Sequence, residues 1–452
     1  MRGTFIIFGA TGDLTGRYLM PAIAKLIECD AFPLVGPIVG VGQQDWTTSQ
    51  FQRHIAERLE VHATDVSKAA REKTCQRLEY QVANVTSTDD LTKLLRGPDE
   101  PAVLYLALPP SVAAKVIREL TQIELPENSR IVCEKPFGHD AASAHELNEL
   151  LRLSFPERHV FRIDHFLAKQ EVQNVLGLRF ANRFFEYLWN RDHIERVEIT
   201  WDETLALEGR AGYYDSAGAL RDMIQNHLLQ LLCLVAMEAP TSFEERGFRD
   251  RKVEVLRAVR KPSATEVREN TIRARYTAGR SGGKDVPDYV GEPGVCAERQ
   301  TETFAQVRLW IDNWRWTGVP FDLRTGKGLS RNRHEIVVHF RSVPHLPFQR
   351  AAPVPNMLRL KFDANCIELG LNINGPGEPF DLERVKLDTQ LPPQTIPEYS
   401  RLLLDVFEGD ATLSIRGDEA EECWRIVEPI LDGWSKGTVP LLEYRAGSDG
   451  PQ

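Results

Sequence analysis

The stretch Thr4–Leu19, TFIIFGATGDLTGRYL, joins an apolar run to a glycine-containing turn and the start of an amphipathic segment. The apolar run predicts a buried strand, and Gly9 and Gly12 predict a tight turn into a helix. At such a turn the free N–H groups of the helix start can bind a pyrophosphate. The glycine spacing differs from the usual dinucleotide fingerprint, so this stretch alone fits a plain strand–helix connection equally well.

The same pattern continues to residue 163. Apolar runs alternate with helical patterns, and strands that are apolar throughout indicate a parallel sheet covered on both faces. Right-handed crossovers then predict a Rossmann-type, doubly wound α/β domain over residues 1–163. The apolar runs are TFIIFGA, GPIVGVG, EYQVANV, AVLYLAL, SRIVCEK and RHVFRI.

The pattern changes after residue 163. Val197, Ile199 and Trp201 alternate with polar residues, as on a half-buried antiparallel strand, and TIRARYTA, HEIVVHFRSV and other runs repeat this alternation. Residues 164–452 therefore predict a larger α+β domain with a mainly antiparallel sheet. We make no structural prediction for two Gly- and Pro-rich segments, 279–300 and 342–355.

Composition limits the classes of partner. The chain of 452 residues has a net charge of −10, which argues against nucleic acid and anionic membranes but leaves room for a local cationic pocket. Its seven cysteines are scattered without a C-x-x-C pair, which favours free thiols in a reducing cytoplasm. The longest apolar run is shorter than the ~20 residues that span a bilayer. We expect a cytoplasmic protein with a small-molecule substrate.

A lysine follows the fifth apolar run, in EKPFGHD (134–140). At the carboxyl end of a parallel strand, Lys135 is expected to point into the binding crevice, and Pro136 is a candidate for a cis bond. A surface loop with a turn proline is the alternative.

The segment Arg162–Gln170, RIDHFLAKQ, concentrates ionisable groups beside a buried strand. A helix starting at Asp164 would place His165 and Lys169 on one face, and two cationic donors at a helix N-terminus suit a phosphate. A metal site is the weaker interpretation, because no further histidine or carboxylate stands at ligand spacing.

The segment 218–238, GALRDMIQNHLLQLLCLVAME, has the periodicity of a core helix interrupted by polar residues. A lone histidine on such a helix is often a satisfied core residue. Asp222 and His227 are five residues apart, roughly 140° around an α-helix, so they are not expected to pair. A base at His227 would need its orienting carboxylate from elsewhere, and Asp164 is the candidate.

At these residues the chain resembles the glucose-6-phosphate dehydrogenase family. The resemblance extends over nearly the whole chain, in the family's order. Its motifs are GATGDL, LALPP, EKPFG, RIDHFLAKQEVQNVLGLRFANRFFEYLWNRDHI, EGRAGYYDSAGALRDMIQNHLLQLLCLVAME and GVPFDLRTGKGL.

The resemblance implies oxidation of glucose 6-phosphate at C1 to the lactone, the first step of the oxidative pentose phosphate pathway, with hydride passing to NAD or NADP. It implies that His227 is the general base and that Asp164 orients it. It also implies a homodimer or homotetramer built through the antiparallel sheet, and no metal. The implied substrate-binding residues are Lys135, His165, Lys169, Glu203, Asp222 and Lys327. The implied cofactor-binding residues are Gly9, Thr11, Gly12, Asp13, Leu14, Gln43, Gln44, Pro109 and Lys135.

Four positions depart from the family pattern. Phe166 replaces a tyrosine, Asn332 a basic residue and Asp363 a glutamine. These changes leave open a different hexose 6-phosphate as the substrate. A catalytically silent nicotinamide-binding regulator is a third hypothesis, against which the retained Asp164 and His227 count.

The fourth departure concerns the cofactor. The end of the second strand, VGVGQQDW, faces the adenine ribose in a dinucleotide domain, where an arginine accommodates the 2′-phosphate of NADP. Here Gln43 replaces the family's arginine. NADP is therefore the family default, and Gln43 favours NAD or dual specificity.

Overall fold

The computed structural model describes residues 3–95, 100–207, 209, 211–346, 353–377, 381–392 and 394–451. The strands are β1 (Thr4–Phe8), β2 (Ile38–Gly42), β3 (Leu78–Val82), β4 (Ala102–Leu106), β5 (Arg130–Glu134), β6 (Val160–Ile163), β7 (Ile194–Asp202), β8 (Thr271–Thr277), β9 (Gly279–Ser281), β10 (Lys284–Val286), β11 (Phe304–Trp310), β12 (Pro320–Gly326), β13 (Arg333–Phe340), β14 (Met357–Lys361), β15 (Cys366–Asn374), β16 (Leu382–Gln390) and β17 (Leu441–Arg445).

Helices connect most of the strands. The α-helices are α1 (Met20–Glu28), α2 (Thr48–His62), α3 (Lys68–Gln76), α4 (Thr88–Leu95), α5 (Pro110–Leu120), α6 (Ala141–Ser154), α7 (Gln170–Phe180), α8 (Arg183–Leu188), α9 (Ala211–Tyr214), α10 (Leu229–Ala236), α11 (Glu245–Ala258), α12 (Ala264–Asn270), α13 (Glu398–Glu408) and α14 (Gly417–Ser435). Two stretches of the described residues are π-helical, Thr15–Leu19 and Leu220–Leu228. No helix among the described residues is long and apolar enough to cross a membrane.

The chain divides into two compact units. The first comprises Met1–Lys169, Pro240–Asp250 and Gln394–Glu421; the second comprises Gln170–Ala239, Arg251–Pro393 and Glu422–Gln452. The predicted domain boundary between residues 163 and 164 stays a prediction, because compactness does not test which segments fold independently.

The first unit contains the predicted parallel sheet. Among the described residues it has six strands in the order β3-β2-β1-β4-β5-β6, all parallel. β1 lies at the centre, and its Phe5, Ile7 and Phe8 are fully buried. The order reverses between β1 and β4, which is where ligands bind in open sheets of this type.

Helix α13 completes the core of the first unit, although it comes more than two hundred residues after β6. The rings of Phe5 and Phe407 pack edge to face at 5.1 Å. The Arg130 guanidinium donates to the carbonyl oxygens of Val406 and Phe407 at 2.6 and 2.7 Å. These bonds satisfy carbonyls at the helix end, where intrahelical partners run out.

One buried carboxyl of α13 makes stability depend on pH. Burial raises the pKa of Asp405 to about 7, although Arg401 lowers it. The unfolded value is about 3.9, so the folded state holds this proton more tightly. The carboxyl therefore costs stability increasingly as pH rises toward 7, up to about 4 kcal/mol at ~1.4 kcal/mol per pKa unit.

We expect Asp405→Asn to raise the melting temperature relative to wild type, and to do so by more at pH 8 than at pH 5. Thermal scans at the two pH values measure this difference. Glu60→Gln, which changes an exposed carboxylate on α2 of the same unit, is the control and should show no such pH dependence. An equal shift at both pH values for Asp405→Asn would contradict the prediction.

The second unit contains the predicted mainly antiparallel sheet. Within the described part of the chain it has nine strands, in the order β16-β15-β14-β13-β7-β12-β11-β8-β17. Only two of its pairs, β12 with β7 and β17 with β8, are parallel. This arrangement confirms the predicted fold class.

The two segments without a structural prediction differ in outcome. Segment 279–300 contains a short antiparallel hairpin of β9 and β10 and two 3₁₀ turns, Tyr289–Gly291 and Ala297–Arg299. Part of segment 342–355, residues 347–352, lies outside the described residues.

Candidate active site

The turn after β1 has the geometry of a nucleotide cradle. Gly9 has φ +80, and a Cβ on it would lie 2.3 Å from the Ala107 carbonyl oxygen, so only glycine fits there. The N–H groups of Gly9 and Ala10 donate to the Val41 carbonyl at 3.0 and 3.1 Å. Gly12 follows with its N–H on the Gly9 carbonyl at 3.0 Å. The turn thus holds backbone close to the ends of β2 and β4, as a bound pyrophosphate requires.

The end of β2 meets this turn. Thr11 Oγ1 donates to Gln44 Oε1 at 3.0 Å, and the Tyr80 hydroxyl donates to the Gln44 carbonyl at 3.0 Å. Gln43 is exposed beside them. Three of the predicted cofactor-binding residues therefore lie at one edge of the sheet, and Tyr80 is a supporting residue that sequence reasoning missed.

Asp13 is held by two arginines. Arg58 of α2 donates to Asp13 Oδ1 at 2.6 Å, and Arg17 donates to Oδ2 at 3.3 Å. Leu14, the next residue, packs against the core of the first unit. Arg58 places a cation from α2 beside the β1 turn, and no sequence motif marks it.

The ends of β4 and β5 carry the remaining predicted cofactor residues. Pro109 is the N-cap residue of α5. Lys135 directly follows β5, and its bond to Pro136 is cis, as predicted. Burial raises the pKa of Glu134 to about 7, while a hydrogen bond from the Tyr105 hydroxyl at 2.5 Å and the charge of Lys135 lower it. Sequence reasoning missed this carboxyl, although it begins the EKPFG motif.

Residues 164–169 form a turn, so the prediction of a helix starting at Asp164 is wrong; α7 begins at Gln170. Three successive N–H groups in the turn donate to carbonyls three residues earlier at 3.1–3.3 Å. Asp164 Oδ1 accepts the Phe166 N–H at 2.9 Å. An aspartate that bonds its own backbone two residues on favours a turn over a helix. His165 therefore does not lie in the first turn of a helix, and no helix dipole acts on a phosphate through it.

The two predicted phosphate ligands contact the start of α13. Lys169 Nζ donates to Glu398 Oε1 at 2.8 Å. The His165 ring stacks on Tyr399, with 5.9 Å between ring centroids and 16° between planes. Glu398 and Tyr399 begin the stretch EYSRLLLDVFEGD (398–410), more than two hundred residues after this turn, and sequence reasoning did not connect them with the phosphate ligands.

In the second unit, the predicted core helix over 218–238 is π-helical from Leu220 to Leu228 and α-helical in α10. His227 is 1% exposed, and its backbone N–H donates to Asn226 Oδ1 at 2.6 Å. Hydrogen bonds in a π-helix run from i to i+5, so residues five apart nearly align. The predicted 140° between Asp222 and His227 assumed α-helical geometry and is wrong for this stretch. Such π-helical insertions are frequent at functional sites.

Three predicted sugar-binding residues gather in the second unit. Lys327 Nζ donates to Glu203 Oε2 at 2.5 Å and lies 5.6 Å from the centroid of the Tyr214 ring. Burial raises the pKa of Tyr214 well above its ordinary value, and the negative charge of Asp222 raises it further. Tyr214 therefore lies against the lysine and within the electrostatic field of Asp222. It lies in the EGRAGYYD motif but was not singled out from the sequence.

The structure shows the surroundings of the three residues that depart from the family pattern outside the cofactor site. Phe166 is buried in the first unit. In the second unit, Asn332 Oδ1 accepts from the N–H and hydroxyl of Thr204 at 2.8 and 3.1 Å, next to Glu203. Asp363 Oδ2 accepts the backbone N–H of His334 at 3.1 Å, and its carboxylate also contacts the His334 ring. The amide and the carboxylate are thus engaged by protein groups.

A parallel sheet of this order, with a glycine turn after its first strand and polar side chains at the end of its second, defines the Rossmann class of dinucleotide-binding proteins. The model "Glucose-6-phosphate dehydrogenase, NAD binding domain" matches residues 6–174, and "Glucose-6-phosphate dehydrogenase, C-terminal domain" matches residues 176–452. The chain belongs to the glucose-6-phosphate dehydrogenase family.

Individual relatives are similar to this chain over nearly its whole length. The glucose-6-phosphate 1-dehydrogenase of Rhizobium meliloti is 41% identical, over 99% of this chain and 94% of the relative. The crystal structure of the Mycobacterium avium glucose-6-phosphate 1-dehydrogenase aligns with a TM-score of 0.88 at 36% identity, covering 99% of this chain and 94% of that chain. A glucose-6-phosphate dehydrogenase in complex with glucose 6-phosphate aligns with a TM-score of 0.88 at 32% identity, covering 99% and 95%.

Proposed function

We propose that this protein oxidises glucose 6-phosphate at C1 to 6-phosphoglucono-lactone, with transfer of hydride to NAD or NADP. The observation that carries the proposal is the contact of Lys327 with Glu203 and Tyr214, in the unit that also contains Asp222 and the buried His227. The hydroxyl groups of a sugar are bound by neighbouring hydrogen-bond donors and acceptors of this kind. The match to the family also extends over both units.

The cofactor is bound by the first unit. The backbone at Gly9 and Gly12 would hold the pyrophosphate, and Thr11, Gln43 and Gln44 would hold the adenine ribose. Pro109 and Lys135, at the ends of β4 and β5, would hold the nicotinamide. When bound, the nicotinamide would supply the acceptor for the hydride from C1.

His227 acts as the general base. An alcohol releases hydride readily only while its hydroxyl proton is leaving, and imidazole accepts a proton near neutral pH. Asp164 orients the imidazole and stabilises the imidazolium that forms. Its role rests on the family pattern and on its burial, at 1% exposure.

Substrate recognition divides into two parts. His165 and Lys169 bind the 6-phosphate, because charge-assisted hydrogen bonds to phosphate are the strong ones. Lys135, Glu203, Asp222 and Lys327 contact the sugar hydroxyls. Neither Asn332 nor Asp363 supplies an obvious new contact, since both already have protein partners.

A screen of hexose 6-phosphates tests the proposal. Formation of reduced nicotinamide is followed with glucose, mannose, galactose and glucosamine 6-phosphates, each with NAD and with NADP. We expect glucose 6-phosphate to have the highest kcat/KM. A higher value for another sugar would assign the different-substrate hypothesis, and no turnover with any sugar would favour the regulator.

Cofactor preference depends on Gln43. The neutral amide lacks the charge that a 2′-phosphate would meet in an arginine, and a charge-assisted hydrogen bond contributes about 1.5–3 kcal/mol. We propose dual specificity or a preference for NAD. Gln43→Arg should shift the ratio of kcat/KM toward NADP by at least about tenfold.

The control for this prediction is Gln122→Arg. Gln122 is exposed and follows α5, which runs back to the opposite edge of the sheet, so the same charge change there should leave the ratio unaltered. A wild-type protein that already prefers NADP about a hundredfold would contradict the prediction. Arg17 or Arg58 would then be the cation that reaches the 2′-phosphate.

Assembly and location follow the family pattern in this proposal. We propose a homodimer or homotetramer built through the antiparallel sheet, which light scattering of the purified protein would test. A cytoplasmic location agrees with seven free cysteine thiols, all in the described residues. Fractionation of cells would test it.

A further inference from the structure

The start of α13 lies against the turn that carries the two predicted phosphate ligands. Gln394 Nε2 donates to the Ala168 carbonyl at 3.1 Å. Glu398, the first residue of α13, pairs with Lys169 at 2.8 Å, and Tyr399 stacks on His165. One helical turn of the same unit therefore contacts both predicted phosphate ligands.

Glu398 brings a negative charge into this cationic group. Burial raises the pKa of Glu398, but the hydrogen bond and charge of Lys169, with a contribution from His165, lower it by more, so the pKa lies below its usual range. The carboxylate is therefore ionised at neutral pH. The side chains of Lys169 and Glu398 are 24% and 33% exposed, so their interaction is only partly screened by water.

A phosphate that approaches Lys169 meets this carboxylate. A phosphomonoester carries a charge near −2 at pH 7, and two like charges that share one cation repel each other. The Lys169 ammonium has three hydrogen-bond donors but a single positive charge. If it contacts the phosphate and the Glu398 carboxylate together, the negative charges of the two anions exceed its positive charge.

We propose that Glu398 determines the affinity of this subsite by competing with the substrate's phosphate for Lys169. The inference rests on the proposed function, which assigns phosphate binding to His165 and Lys169. Glu398 is thus a specificity-determining residue whose carboxylate weakens the binding of any phosphate. Free inorganic phosphate is affected as much as the sugar phosphate.

Glu398→Gln tests the proposal, because it removes the charge and keeps the shape. We expect the KM for glucose 6-phosphate and the inhibition constant of inorganic phosphate both to fall about fivefold, the upper end for a partly exposed ion pair. The KM for unphosphorylated glucose should stay within about twofold, because glucose lacks the competing anion. Glu408→Gln, the same change at the exposed end of α13, should alter none of the three constants.

Two results would overturn the proposal. A higher KM for glucose 6-phosphate in Glu398→Gln would show that the carboxylate positions Lys169 for the phosphate. A parallel change in all three constants would show a structural effect. Glu398→Ala provides a second variant with the same expected direction.

Calorimetric binding of inorganic phosphate separates this proposal from the proposed function, since it requires no turnover. If the Glu398→Gln variant binds phosphate more tightly but neither variant nor wild type oxidises glucose 6-phosphate, the competition is supported and the proposed activity is refuted. A protein that turns over glucose 6-phosphate with unchanged phosphate affinity in the variant would refute the competition alone.

Discussion

Replacement of His227 by asparagine is expected to lower kcat by ~10²–10⁴, the usual contribution of general acid–base catalysis. The imidazole is the group proposed to remove the C1 hydroxyl proton, and an amide cannot accept it. Asparagine keeps a polar side chain of similar reach at this buried position, so the π-helix that holds residue 227 should persist. Steady-state kinetics with saturating cofactor measures the effect.

This prediction has two controls, the affinity of the variant for the sugar phosphate and the same substitution at an exposed histidine. Sugar-phosphate affinity of the His227→Asn variant, from calorimetry, should stay near that of the wild type, because the base is not proposed to carry the phosphate. His145→Asn changes a histidine with a 62% exposed side chain on α6 and should leave kcat unaltered. Retention of more than about a tenth of wild-type kcat in His227→Asn is too much for the loss of a general base, and would move the base to another residue.

Replacement of Lys169 by alanine is expected to raise the KM for glucose 6-phosphate by about 10- to 150-fold, the worth of one hydrogen bond to a charged group. The kcat should change little, because the phosphate lies at the far end of the sugar from C1. Turnover of unphosphorylated glucose should be nearly unaffected. Glu398, left without its partner, adds to the repulsion of the phosphate.

Lys68→Ala is the control for the lysine prediction. Its side chain is 83% exposed at the start of α3, so it reports the general effect of losing one positive charge. If Lys169→Ala reduces kcat/KM for glucose and for glucose 6-phosphate equally, the lysine is structural. The assignment of the phosphate to residues 165 and 169 would then be wrong.

Much of the fold was predictable from the sequence because burial imposes periodicity. Strands of a sheet covered on both faces are apolar throughout, and the six runs predicted as strands correspond to β1–β6. The alternation of Val197, Ile199 and Trp201 likewise corresponds to β7, the strand between β12 and β13. Both signals are local, so a single sequence contains them.

Two local predictions failed for local reasons. An α-helix was expected from Asp164, yet the side chain of that residue bonds the backbone two positions on and stabilises a turn. An α-helix was also expected through His227, yet this stretch is π-helical. A side chain that bonds a nearby backbone N–H does not change the hydrophobic periodicity. The wider turn of a π-helix changes it only slightly, so neither feature could be predicted from the pattern.

The fold class, the family and the candidate residues were predictable from one chain, because they depend on periodicity and on motifs of neighbouring residues. Which distant groups meet those candidate residues depends on the folded arrangement. Glu398 reaches Lys169, Arg58 reaches Asp13, and Tyr214 lies against Lys327. Such contacts join residues tens to hundreds of positions apart, and their geometry is set by how helices and strands pack around a shared core. No local pattern encodes that packing, and the charge balance at each site follows from it.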